Sequence, residues 1–273
     1  FLFGVVVAKT IGSDIVDSHF LTLDVLIACL VGTIIWNLIT WFFGIPSSSS
    51  HALIGGLIGS TFVSVGSSAI KFQGLYKVLI ALFASPIIGF VFGFIVLRII
   101  YFLAQNASPR INGFFKNGQF FTTIGLAFSY GANDGQKTIG IITLSLIVGG
   151  HLSNFAIPFW VILLSATTMA LGTTLGGYRL IRTLGGKFYK IRPVHSFATQ
   201  MTSTIVIFSA SLIGLPVSTT QIVSSAIIGI GSSERFGKVR WGVAGDILTA
   251  WLVTIPVSAL FSAGIYWLIT IVK

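Results

Sequence analysis

An all-α polytopic membrane fold, built as an inverted repeat with two re-entrant helical hairpins, is predicted by three observations. Apolar runs of roughly 20 residues recur along a 273-residue chain that is 54% hydrophobic and only 8% charged, and runs of that length match the hydrocarbon core of a bilayer. A Gly/Pro/Ser-rich stretch comes back, without a gap, 170 residues later. Lys and Arg collect in connections that can all be placed on one side.

Residues 1–8 are apolar but lack a basic n-region, so they read as the tail of a longer helix and not as a signal peptide. A polar link, 9–20, carries Asp14 and Asp17. Residues 21–43 are long enough to span and are expected to lie tilted or partly interfacial. They end at Gly44-Ile-Pro-Ser-Ser-Ser-Ser-His51, and a short apolar piece runs on to about Val65. After Lys71 and Lys77 comes a full span, 78–104, containing Pro86, and then a polar loop, 105–118. The run 120–149 holds a charged motif, 155–176 is another span, and 178–193 is the most basic loop. Residues 196–213 lead into Gly214-Leu-Pro-Val-Ser-Thr-Thr-Gln221 and an apolar piece to Ile230. A basic link, 232–240, precedes the last span, 241–272.

Under the 170-residue shift, Gly44, Pro46, Ser48, Ile58 and Gly59 land on Gly214, Pro216, Ser218, Ile228 and Gly229, while Ser49 and Ser50 land on Thr219 and Thr220. Pro86 lands on Pro256 in the same register. Five identities in 17 positions exceed the roughly one that average residue usage gives. Residues 1–104 are therefore the remainder of a first repeat, 105–118 a cytoplasmic linker, and 119–273 the second repeat. Placing 105–118, 178–193 and 232–240 on the cytoplasmic side gathers ten Lys/Arg there. Lys9, Lys71, Lys77 and Lys273 fall opposite, with the C-terminus outside. That split requires 196–230 to leave the membrane where it entered. Three crossings plus one hairpin per repeat inverts the second repeat, the architecture of secondary transporters.

Ser129-Tyr-Gly-Ala-Asn-Asp-Gly-Gln-Lys-Thr-Ile-Gly140 puts Asp134 and Lys137 inside an apolar run, 122–149. A carboxylate at such depth costs about 3 kcal/mol or more on insertion scales and needs a cation, a cavity or a partner. A structural Asp134–Lys137 pair on one helix is the bland alternative; Gly131 and Gly135, helix breakers on either side of Asp134, argue against it. At the tips, Pro46 and Pro216 break the incoming helices, and Ser or Thr just beyond caps the outgoing ones. The free N–H groups there favour phosphate or sulfate. Ordinary kinked helices with Ser/Thr packing are the competing account. Asp134 and the amide oxygen of Asn133 suit a hard cation, Na+ or a divalent ion; Lys137 and Thr138 are donors and suit an oxyanion. Oxyanion-directed donors beside one carboxylate describe cation-coupled uptake.

Gly131-Ala-Asn-Asp-Gly-Gln-Lys-Thr138, with the two Gly-x-Pro-x-Ser tips, closely resembles the inorganic phosphate transporter (PiT) family over essentially the whole chain. The resemblance implies symport of inorganic phosphate with Na+, with H+ or as a metal–phosphate complex, across the cell membrane, by a homodimer with an inverted-repeat core. It assigns Ser48, Ser49, Ser50, Gln136, Lys137, Thr138, Ser218, Thr219 and Thr220 to the substrate, and Asn133 and Asp134 to the cation. The family also has a first GAND segment; under the repeat shift it would lie some forty residues ahead of Phe1. A sulfate permease of the same family and an oxyanion channel are the alternatives.

No resident cofactor is expected, only a transported cation. No Cys–His, Ser–His–Asp or paired-carboxylate constellation at membrane depth points to an enzyme. Basic loops flanking spans speak for orientation in the bilayer, not for nucleic acid. Cys29 is the lone cysteine, so no disulfide forms within the chain. His51 is expected to cap or line its tip, His151 and His195 to be solvated, and Asp246 to pair with Arg240. The six Trp divide between interfacial anchors and packing.

Overall fold

The computed structural model of the chain describes residues 6–186, 189 and 191–273, the side chains of 178–186 and 238 excepted. It is built from helices. α1 (Val6–Lys9) runs on through a π turn, Thr10–Asp14, and is followed by α2 (Leu23–Phe42), α3 (Ser49–Val65) and α4 (Phe72–Leu103). α5 (Ile111–Tyr130), a second π turn (Gly131–Gly135) and α6 (Gln136–Val148) form one continuous rod. α7 (Phe159–Gly186), α8 (Pro193–Leu212), α9 (Thr219–Arg235) and α10 (Trp241–Val272) complete the fold. Among the described residues five segments are long and apolar enough to cross a bilayer: Leu23–Phe42, Ser49–Ala69, Phe72–Leu103, Phe159–Gly177 and Trp241–Val272.

Shifting by 170 lays α2 on α8 and α3 on α9 with identical bounds, and α4 on α10 to within one residue. Each hairpin begins and ends at one end of the bundle. At one end Lys273 Nζ meets Asp24 at 2.5 Å, Ser64 Oγ meets Tyr266 at 2.8 Å and Asp17 N meets Ala69 O at 2.9 Å. At the other, Gln119 meets Pro193 O at 2.9 Å, and Arg192 bonds both Tyr101 and Glu234. The open ends of the α2–α3 and α8–α9 hairpins thus lie at opposite ends of the bundle.

Small residues set how closely these hairpins pack. α3 lies on α10 through Gly55 and Gly59, where an added Cβ would run into Ser258, Ile255 and the backbone of Ala259, while Gly56 faces Thr33 and Cys29 of α2. At the related positions α9 meets α4, with Gly229 against the backbone of Phe90 and Gly93 against Ala226. Without a hydrophobic drive between helices in lipid, close backbone approach and hydroxyl bonds supply the cohesion. Thr254, Ser258 and Ser262 of α10 are accordingly fully buried, while Phe102, Leu103 and Leu260 are exposed. Pro86 removes an N–H from α4, and Ser85 Oγ donates instead to the freed Leu82 carbonyl at 3.1 Å.

Several expectations are corrected. Gly131 and Gly135 do not break the helix: the chain stays helical there and widens into a π turn, which removes regular i→i−4 bonding over one turn without exposing the backbone. The loop 105–118 is helical from Ile111, and 178–193 is helical to Gly186; the side chains of Arg179 and Arg182, with Lys187 and Lys190, lie outside the described residues, as do residues 1–5. His195 is buried rather than solvated because its Nδ1 accepts from Arg192 N–H at 3.2 Å, capping α8. Asp246 is exposed and forms no ion pair with Arg240 among the described residues.

Candidate functional site

The two tips are made the same way. α2 and α8 end in residues with positive φ, Gly44 (66°) and Gly214 (74°), as helix C-termini commonly do. Ile45 N returns to Thr40 O and Leu215 N to Ala210 O, both at 2.9 Å. Pro46 and Pro216 cannot continue the incoming helix. Ser48 Oγ then caps α3 through His51 N at 3.1 Å, and Ser218 Oγ caps α9 through Gln221 N at 3.4 Å. The tips touch: Ser50 Oγ donates to Val217 O at 3.1 Å, and Gln221 Nε2 lies 3.1 Å from His51 Nδ1. His51 and Gln221 are related by the repeat shift, so this contact lies on the internal symmetry axis.

The π turn and the start of α6 lie against that junction. Lys137 Nζ donates to Asp134 Oδ1 (2.6 Å), Ser50 Oγ (2.6 Å) and Val217 O (2.5 Å), which uses all three of its protons. Thr219 Oγ1 donates to the other carboxylate oxygen, Asp134 Oδ2, at 2.7 Å. Asn133, fully buried, donates to Leu215 O (3.1 Å) and Ser211 Oγ (3.0 Å), and its Oδ1 accepts from Val217 N at 3.3 Å. The i,i+3 ion pair therefore exists, but it also ties one tip to the other.

A cavity of about 650 Å³ opens on this cluster. Ser49, Asp134, Lys137 and Thr138 line it, together with Thr33, Asn37, Ser165 and Thr168. Of the sequence-derived residues, Ser50, Asn133, Asp134, Lys137 and Thr219 share one bonded network, Ser48 and Ser218 cap the helices behind it, and Ser49 and Thr138 face the cavity. Thr220, half-buried, is not among the lining residues. Gln136 points elsewhere: its Oε1 accepts from Val7 N at 3.0 Å and Ala8 N at 3.4 Å, fastening α1 to α6. Sequence reasoning missed Asn37, although a lone amide in an apolar run is a visible signal. The Val217 carbonyl carries no such signal, since every residue has one.

Residues 1–262 match the Phosphate transporter family. The chain belongs to this family. It is 43% identical over 267 residues to a probable low-affinity inorganic phosphate transporter of Rhizobium meliloti, covering 97% of this chain and 80% of that one. It is 43% identical over 270 residues to a protein of the same description in Bacillus subtilis, covering 97% and 81%. Among solved structures it resembles a sodium-dependent phosphate transporter, with a TM-score of 0.89 and 22% identity over 100% of this chain and 86% of that one. As a phosphate transporter family member it is an integral membrane protein, and its family and homologues are transporters rather than enzymes.

Proposed function

We propose that this chain is a cation-coupled symporter of inorganic phosphate in the cell membrane, working through re-entrant hairpins whose tips form the substrate site. One observation carries it: α3 and α9 begin within hydrogen-bond reach of each other, from opposite ends, around a single partly buried carboxylate. The free N–H groups of two helix starts, with Ser49 and Thr138 on the cavity, supply donors for a tetrahedral oxyanion. Ser48 and Ser218 hold those starts in shape; Ser50, Thr219 and Thr220 complete the tips. Asp134 is the site for the driving cation. The relatives support this assignment: the bacterial proteins are probable inorganic phosphate transporters, and the solved one is a sodium-dependent phosphate transporter.

In this arrangement the basic connections 105–118, 178–193 and 232–240 face the cytoplasm and the C-terminus faces out, following the positive-inside rule; the working unit is a homodimer. Uptake of labelled phosphate into proteoliposomes under an imposed Na+ or H+ gradient tests coupling. Accumulation against a phosphate gradient is expected, and Asp134→Asn should abolish it. Phosphate flux that only ever runs down its own gradient would make the protein a channel and end the proposal.

A further inference from the structure

The geometry points to Lys137 as a tethered cation that occupies the coupling-ion site of the empty carrier and competes with that ion for Asp134. This rests on the symport reading and gives its cation site a resident. The three oxygens around Lys137 Nζ form a cage that would suit a metal ion: one carboxylate, one hydroxyl and one carbonyl, at 2.5–2.6 Å. Ca2+, a hard cation with oxygen ligands, holds them at about 2.3–2.6 Å. The hydroxyl protons are turned so that lone pairs are available to the cage. Ser50 O–H is directed to Val217 O, and Thr219 O–H to the far oxygen of Asp134. Lys137 is 6% exposed at its side chain and Asp134 22%, and among the described residues each forms its ion pair with the other. A small cation entering this cage must displace the ammonium, because Nζ already sits at the point within 2.5–2.6 Å of all three oxygens.

The cavity gives the displaced ammonium a place to go. Lys137 lines it beside Thr138 and Ser49, where the anion is proposed to bind. Cation arrival would thus free three N–H donors for phosphate, and phosphate would in turn hold Lys137 away from the cage. Such linkage is reciprocal: each ligand tightens the other by the same factor. A purely structural ion pair predicts no such linkage: removing Lys137 would leave Asp134 uncompensated and destabilise the fold, and phosphate would not alter Na+ binding in the wild type.

The test is equilibrium binding of Na+ to the full-length purified protein without phosphate, comparing wild type with Lys137→Gln and the isosteric Lys137→Met. Both variants should bind Na+ at least about tenfold more tightly than wild type, within the usual range of site-to-site coupling. Adding Asp134→Asn should abolish that binding. Phosphate should tighten Na+ binding in wild type and change it little in the variants. Unchanged or weaker Na+ binding in whichever variant folds, or no Na+ binding in any of the proteins, would overturn the proposal. Phosphate accumulation by wild-type proteoliposomes is a separate readout, so loss of the symport reading and loss of the tethered-cation idea cannot be confused.

Discussion

Asn133 illustrates how much one side chain decides here. The cation role expected from its amide oxygen competes with what the geometry gives it: Oδ1 and Nδ2 both bond the backbone of the second tip, at Val217 N and Leu215 O. Replacing it with Leu leaves those two backbone groups without a partner, at about 1–3 kcal/mol for each unsatisfied group, while Ser211 Oγ keeps its bond to Ile207 O. Asn133→Leu should therefore lower the unfolding temperature as well as transport. Asn133→Asp keeps the acceptor for Val217 N but offers no donor to Leu215 O, and should weaken phosphate binding while preserving the fold. Thermal unfolding and phosphate affinity, measured together, check both outcomes. If Asn133→Leu changed cation affinity alone, the clamp would be excluded.

Among the helices, the contact between each hairpin and the long helix of the other repeat governs stability. Gly59 of α3 and Gly229 of α9 sit where backbones touch, against Ala259 and Phe90. Overpacking of a close contact costs about 1–3 kcal/mol and more where backbone must move. Gly59→Val and Gly229→Val should each reduce thermal stability by at least that much, to similar extents, because the repeat relates the two sites. Gly113→Val, where an added Cβ meets nothing, should change little. Equal melting temperatures in all three variants would remove the packing argument. The π turn at Gly131–Gly135 is the other feature at this scale. Two glycines were legible as helix breakers, but local propensity is weak against packing on both sides, and here the wider turn satisfied the chain without a break.

For the whole molecule, the opposed hairpins make a topological prediction. Ser67 lies in the connection after α3 and Ser108 in that after α4, both exposed and at opposite ends of the bundle. In a Cys29→Ala background, with Cys29 itself buried, a cysteine at 67 should react with an impermeant maleimide added outside intact cells. A cysteine at 108 should react only after permeabilisation. The reverse pattern would invert the orientation drawn from loop charge. The fold class, the two tips and the charged motif were legible because they rest on local signals: apolar run length, proline and glycine placement, and a 170-residue register.

By itself the sequence determined a helical membrane protein with two related hairpins and placed Asp134 and Lys137 three residues apart on a helix. Short-range periodicity and composition carry that information along the chain. Only the tertiary structure decided that Lys137 reaches Ser50 and Val217, 87 and 80 residues away, that Gln136 turns from the tips to α1, and that His195 is buried as a cap. Those outcomes depend on which helix faces meet and at what distance. In lipid, small residues and hydroxyls distributed over remote helices set both, and a backbone carbonyl such as that of Val217 becomes a ligand only once packing has aimed it.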